Sequence, residues 1–340
     1  MKVTPLSQVG NVEKIPSGIF VFDLLTAGGI PTGRYTLLWG AKGTGKTSFA
    51  IRVASNFLKE YPERQVLFVD FEQAITKDWA QDILATIFDG VCTDNFLVIQ
   101  PGFAEEGIDT LIEILDSDDY DVGLVVVDSI AMMIPLGDAE SEASQDSVGT
   151  LARAANKMFR KLTPRMARQK EAGKPLTVIL INQQRTKIER SFVPSYTLPG
   201  GMLQGFLASL EVRFWRDGIA KKSIDGEEIP ISVSYTFSLE KTKTGGIPSI
   251  AGKYKMALVE HGGYRRGEVI EDSVIIDLLK KYGLLKKDGS KWVIEGIEEK
   301  FKTQVEIKER MKNESAFKEE IKNKVSKAFY MKVRGGNNGL

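Results

Sequence analysis

The chain is 340 residues long, 42% hydrophobic and 27% charged, ordinary proportions for a soluble globular protein of roughly two domains, one large and one small. Its 46 basic and 45 acidic side chains leave a formal charge of +1, so there is no whole-molecule attraction to nucleic acid or anionic lipid, and any polyanion site has to be local. A single cysteine, Cys92, excludes an internal disulfide framework and, with the single histidine, His261, argues against a Cys/His zinc site; without a signal-peptide h-region or an apolar run of about 18 residues, a cytoplasmic protein with no membrane partner is expected.

From Tyr35 onward, short apolar runs alternate with helical patterns, as in a parallel sheet wrapped by helices. The first expected strand, "YTLLWG", runs into "GAKGTGKTS" (40–48), which matches the template G-x-x-x-x-G-K-[ST] and is followed by the helical "TSFAIRVASNFLKEY". In such a loop, glycines let consecutive backbone N–H groups turn around phosphate oxygens at the positive end of the helix. Gly40, Ala41, Lys42, Gly43, Thr44, Gly45, Lys46, Thr47 and Ser48 are therefore the expected polyphosphate cradle, with Lys46 reaching the terminal phosphates and the Thr47 hydroxyl ligating Mg²⁺. The next strand, "QVLFVDFE", ends on Glu72, the candidate base for an attacking water.

The helix "TKDWAQDILATIF", strand "NFLVIQ" and helix "AEEGIDTLIEIL" follow, and then "VGLVVVDS" places Asp128 at the carboxyl end of an apolar strand, where a P-loop site needs its metal-positioning acid. A polar, acidic stretch at about 134–148 leads into a long helix bearing Arg153 and Arg160, seven apart and so on one face. After the strand "LTVILINQ", the segment 184–201 is long for a loop in a compact domain, which marks it as functional or mobile. Beyond Gly201, "SLEVRFWRDG", "IPISVSYTFSLEK" and "YKMALVEHG" read as antiparallel additions to the sheet edge. "EDSVIIDLLKKYG" is an amphipathic helix closed by glycine, and two charged helical patterns run on to about Tyr330.

Taken in order, "IPSGIFVFDLLTAGGIPTGRYTLLWGAKGTGKTS", "FVDFEQAIT", "VVVDSIAMMIP", "LINQQRTKI", "LPGGMLQGFLAS" and "EKTKTGGIP" resemble a RecA-family recombinase of the bacterial RecA and phage UvsX kind, over most of residues 13–330. The resemblance implies an α/β fold: a P-loop RecA-type core with a mostly parallel central sheet, antiparallel edge strands and a small C-terminal helical α+β domain. Its implied divisions are a short segment 1–12, a core 13–269, a small domain 270–330 and a flexible tail 331–340. The implied activity is an ATP- and Mg²⁺-dependent filament on single-stranded DNA that pairs it with homologous duplex and exchanges strands, hydrolysing ATP in a DNA-stimulated manner.

Carried over residue by residue, Glu72 matches the family's catalytic carboxylate and Trp79 the aromatic that stacks on adenine, a packed core tryptophan being the alternative. Gln183 matches the glutamine that senses the γ-phosphate; from the residues alone Asn182, Gln183 and Gln184 are indistinguishable. Lys241 and Lys243 match two lysines that reach a neighbouring protomer's ATP, and Phe206 a residue at the protomer interface, a core phenylalanine being the alternative. The stretches 134–148 and 184–201 correspond to the two DNA-binding loops. Arg153, Arg160, Arg185 and Lys187 are assigned phosphate contacts, Phe192 and Tyr196 base contacts, and Gly200 and Gly201 close backbone approach to DNA.

Two departures accompany the match. Only about a dozen residues precede "VEKIPSG", so the family's leading helix is expected to be largely absent, and "KVSKAFYMKVRGGNNGL" is basic where the family's tail is acidic. A ring-forming helicase or branch-migration ATPase of the same fold, and a non-catalytic nucleotide-gated recombination mediator, are the rival readings.

Overall fold

The computed structural model describes residues 5, 10–88, 94–139, 148–187, 195–224 and 226–335. Two short antiparallel strands, β1 (Lys14–Ile15) and β2 (Ile30–Pro31), bracket helix α1 (Phe20–Thr26). The core then alternates β3 (Tyr35–Gly40), α2 (Lys46–Glu60), β4 (Gln65–Asp70), α3 (Lys77–Ala85), β5 (Phe96–Ile99), α4 (Ala104–Asp116) and β6 (Val122–Asp128). A single helical turn, α5 (Leu136–Ala139), precedes the long α6 (Val148–Glu171) and β7 (Thr177–Gln183). A small hairpin, β8 (Arg185–Lys187) with β9 (Ser195–Thr197), and α7 (Leu203–Leu207) lead into β10 (Ala208–Ile224), β11 (Glu227–Thr242), β12 (Ala251–Ala257) and β13 (Val269–Ile270).

Nine strands form one sheet in the order β13-β12-β11-β10-β3-β7-β6-β4-β5. The half from β10 to β5 is parallel, while β10 through β13 pair antiparallel, as the run of strands without intervening long helices implies. Parallel strands need crossover helices, and these cover both faces. Alternation along each strand divides the core in two. Leu38, Phe68, Val126 and Ile179 face α2, where Phe49, Val53 and Phe57 meet them. Leu37, Leu67, Val125 and Val178 face Ile108 and Leu111 of α4 and Met158, Phe159 and Leu162 of α6.

The carboxyl-terminal part consists of α8 (Asp272–Lys281), a three-stranded sheet of β14 (Leu285–Asp288), β15 (Lys291–Ile294) and β16 (Lys300–Phe301), then α9 (Gln304–Asn313) and α10 (Ser315–Gly335). The helices agree with the charged patterns. The little sheet has no separate signature, because strands of two to four residues carrying several lysines have neither the length nor the alternation that identifies a strand. One hydrogen bond ties this region to the core, Glu271 accepting from the Phe20 backbone N–H, and ion pairs brace α10 against the start of α8 within it: Lys322 with Glu271 at 3.4 Å and Lys318 with Asp272 at 3.7 Å. Apolar packing is also continuous across it, from Phe22 through Ile276 to Phe329.

Segment 184–201 is not irregular throughout, since β8 and β9 pair at its base through Arg185↔Thr197 and Lys187↔Ser195. Among the described residues no helix is long and apolar enough to cross a membrane.

Phe49 is fully buried at the centre of an aromatic cluster, 4.7 Å from the Phe22 ring centroid and 5.1 Å from that of Phe214. Phe49→Ala is expected to cost about 3–5 kcal/mol through lost burial plus a residual cavity. A urea titration should show a lower midpoint with an unchanged slope; an unchanged midpoint would contradict this packing.

Candidate functional site

The ligand-ready edge of the molecule is the carboxyl end of the parallel strands, where open α/β sheets bind their ligands. Ladder register aligns these ends: Gly40 of β3 lies opposite Gln183 of β7, and Asp70 of β4 opposite Asp128 of β6. Between them sits a cavity of ≈190 Å³ whose lining includes Gly43, Lys46, Thr47, Glu72, Asp128, Gln183 and Tyr235. Five residues from four separate stretches of sequence thus converge as expected: Lys46, Thr47, Glu72, Asp128 and Gln183.

The loop before α2 owes its shape to glycine. Gly43 and Gly45 have φ of +73° and +82°, and a Cβ on Gly45 would stand 2.7 Å from the Tyr235 ring. Gly45 is the N-cap of the 15-residue α2, and no side chain caps it. The first-turn N–H groups therefore keep their capacity for an anion, at the positive end of the helix dipole.

The cavity is lined largely by polar side chains, charged and neutral. Lys46 is buried, and its Nζ donates to the carbonyl of Ala41 at 2.8 Å and to the carbonyl of Gly40 and the hydroxyl of Thr44, both at 3.3 Å. Burial lowers its pKa, opposed by the carboxylates of Asp128 and Glu72. Thr47 Oγ1 donates to Asp128 Oδ2 at 2.6 Å. Asp128 Oδ1 is buried and has no hydrogen-bond partner among the described residues. Desolvation pushes the Asp128 carboxyl up to about 7, with the Thr47 hydrogen bond working the other way and Glu72 and Asp70 adding to the rise.

An orphaned carboxylate oxygen beside a threonine hydroxyl is a hard-oxygen donor pair that suits a small divalent cation. Among the described residues no cluster of three His, Cys, Asp or Glu side chains could hold a metal, so such a cation would complete its shell with phosphate and water oxygens, as Mg²⁺ does.

Glu72 is held from two sides. It accepts from the Ser129 hydroxyl at 2.8 Å and from Gln183 Nε2 at 2.5 Å, which links the candidate base directly to the candidate sensor. The structure also separates the three adjacent amides. Gln183 lines the cavity, whereas Asn182 is fully buried and donates to the Pro199 carbonyl at 2.9 Å and to Gln204 Oε1 at 2.8 Å. Gln184 does not line the cavity. Gln204 in turn donates to the carbonyls of Pro199 and Gly201.

Trp79 is half-buried beside the cavity, outside its lining; its indole N–H donates to Ser48 at 3.2 Å, and the Arg266 guanidinium lies 5.2 Å from its ring centroid. Lys241 and Lys243 also stand apart from the cavity; Lys241 Nζ donates to the Gly205 carbonyl at 2.6 Å, and Lys243 is exposed. Phe206 is 68% exposed, which removes the core alternative for it.

Arg153 and Arg160 are both exposed on α6, and Arg185 is exposed at the start of β8. Lys187 is described only in its backbone, and Phe192 lies outside the described residues. Gly200 and Gly201 have φ of +84° and +81°, and a Cβ at Gly200 would come within 2.5 Å of Ile130, so packing within the chain already demands glycine there. Ser129, which donates to Glu72, and Tyr235, which lines the cavity, are the residues of the candidate site that sequence reasoning missed. Ser129 adjoins Asp128 and could have been found by that adjacency; Tyr235, from β11 in the distant antiparallel half of the sheet, carries no local signal.

Gly45→Ala combines an unfavourable φ with a clash against Tyr235. Its expected outcome is at least tenfold weaker binding of a fluorescent adenosine triphosphate analogue, read by anisotropy; full-strength binding would contradict the cradle geometry.

The model of the RecA N-terminal domain matches residues 1–242. The chain is 30% identical over 300 residues to Protein RecA of Fusobacterium nucleatum, covering 87% of this chain and 73% of that protein. Protein RecA of Bifidobacterium breve is 31% identical over 289 residues, covering 85% and 67% respectively. For Protein RecA of Aquifex pyrophilus the identity is 29% over 300 residues, covering 87% and 80%. With a matched model over most of its length, an ordered P-loop edge and a mixed, mostly parallel sheet, the chain belongs to the RecA family.

Proposed function

We propose that this chain is an ATP-dependent DNA recombinase: it assembles as a filament on single-stranded DNA, hydrolyses ATP when DNA is bound, and catalyses homologous pairing and strand exchange. The observation that carries this reading is the hydrogen bond between Glu72 and Gln183 inside the phosphate-sized cavity. A catalytic carboxylate bonded to a sensor amide ties hydrolysis to the strand that leads into segment 184–201.

In this reading the α2 N-terminus and Lys46 bind the terminal phosphates, which replace the loop carbonyls and the Thr44 hydroxyl as partners of Nζ. Mg²⁺, held by Thr47 and Asp128, supplies charge neutralisation at the phosphate oxygens. Glu72 orients a water and takes its proton, and Ser129 keeps the carboxylate pointed at that water. Gln183 exchanges Glu72 for the γ-phosphate as its partner, since an amide can donate to either. Trp79 stacks on the base.

Lys241 and Lys243 act in trans on a neighbouring protomer's nucleotide, and their separation from the chain's own cavity accords with that role. Phe206 contributes to the same protomer interface. Arg153, Arg160, Arg185 and Lys187 hold DNA phosphates and Phe192 contacts bases. The segment 1–12, the core 13–269 and an accessory domain beginning at 270 complete the proposed organisation; α10 carries that domain on to Gly335, past the boundary expected at 330, because the helical pattern continues through 331–335.

Glu72→Gln is expected to retain ATP binding while hydrolysis falls about 10²–10⁴-fold, measured as phosphate release with and without single-stranded DNA. The double substitution Lys241→Ala and Lys243→Ala should abolish the DNA-stimulated part of turnover and leave nucleotide binding by isolated protomers intact. Electron microscopy with ATP and single-stranded DNA tests the assembly. Helical filaments and joint molecules between homologous partners are expected; closed rings would indicate the helicase reading, and turnover indifferent to DNA would remove the proposal.

A further inference from the structure

Outside the nucleotide cavity, one guanidinium is ringed by aromatic side chains. Arg213 on β10 places its Cζ 4.6 Å from the ring centroid of Tyr196, 5.0 Å from Trp39 and 5.7 Å from Trp215. Arg213 and Trp215, two apart on one strand, share a face of the sheet, and Trp39 is the cross-strand partner of Arg213. Tyr196 comes from β9, at the base of segment 184–201.

Two features make this more than packing. First, no carboxylate among the described residues pairs with Arg213, and its Nε is buried with no hydrogen-bond partner there. Glu211, next on the same strand face, accepts instead from Trp39 Nε1 at 2.9 Å. A half-buried cation without a counter-ion is costly unless an anion is supplied. Second, Tyr196 and Trp215 are 38% and 37% exposed, leaving aromatic surface for a stacking partner. A ligand offering phosphates and unstacked planar bases satisfies both features, whereas a duplex keeps its bases stacked on one another.

We infer that Trp39, Tyr196, Arg213 and Trp215 form a contact for single-stranded DNA, in which Arg213 takes a backbone phosphate and the exposed faces of Tyr196 and Trp215 take bases. This rests on the recombinase reading and adds a stacking site on the sheet itself to the two loops. The contact is one ladder rung from the nucleotide cavity: Trp39 precedes Gly40, and Asn182, the partner of Trp39 across the ladder, precedes Gln183. Tension on the strand is thereby transmitted to both the phosphate loop and the sensor. Cation–π contacts with the three rings hold the guanidinium in place before DNA arrives.

The test compares Trp215→Ala and Arg213→Gln with the unmodified chain, using a fluorescent oligothymidylate and an abasic oligonucleotide of the same length, with ATP analogue present. Trp215→Ala should bind oligothymidylate at least fivefold more weakly, as loss of one stacked base implies, yet bind the abasic strand as tightly as the unmodified chain. Arg213→Gln should reduce the slope of log affinity against log salt by about 0.7, the value for one phosphate on a single strand. Thermal unfolding of each variant separates this from structural damage: a role confined to packing predicts a lowered midpoint, equal losses on both oligonucleotides and an unchanged salt slope, and would overturn the inference. An unmodified chain that binds no oligonucleotide removes the recombinase function and this contact together. An unmodified chain that binds, alongside variants that bind equally tightly with the same slope, removes this contact alone.

Discussion

The parallel ladder joining β3, β7, β6 and β4 is the constraint on which the site depends. Each strand is buried on both faces, so a slip of one residue would exchange the two halves of its apolar side chains between the α2 face and the α4–α6 face. Because register is held so firmly, Gly40, Gln183, Asp128 and Asp70 end at one edge. Asp70 shows how the edge is finished: it accepts from the Ile75 N–H at 3.0 Å and from Gln100 Nε2 at 2.9 Å, bracing the turn that carries Glu72.

Into that edge the fold concentrates charge that water would otherwise stabilise. Two lysines, two carboxylates and the bare end of a helix surround ≈190 Å³ of space. The raised pKa of Asp128 and the lowered pKa of Lys46 share one cause, burial, and each group is eased by its opposite. An anion with a divalent cation satisfies the helix end, Lys46 and the orphaned carboxylate oxygen together, which is why nucleotide binding in this reading reorganises the cavity.

A second consequence of register is the split between Gln183 and Asn182. Adjacent residues on a strand point to opposite faces, so one amide enters the cavity while the next is buried on the other side, bonded to Gln204 and Pro199. Gln204 also holds Gly201, so the hydrogen bonds run from the cavity edge to the end of segment 184–201 and to α7, which presents the exposed Phe206. A change of partner at Gln183 thus has a mechanical route to both the proposed DNA segment and the proposed protomer interface.

Much of this was legible in the sequence because it is written locally. The apolar runs "YTLLWG", "QVLFVDFE", "VGLVVVDS" and "LTVILINQ" carry the buried parallel strands, and the glycine-lysine-threonine loop carries its own backbone requirements. Period and composition are properties of neighbours in the chain, so they survive without coordinates. Tertiary structure alone decided which of three consecutive amides faces the cavity, that Tyr235 closes over Gly45, that Ser129 and Gln183 hold the same Glu72 oxygen, and that Arg213 sits among three rings drawn from β3, β9 and β10. These are pairings between distant segments, fixed by strand order and register, and no local pattern of residues encodes which strand lies beside which.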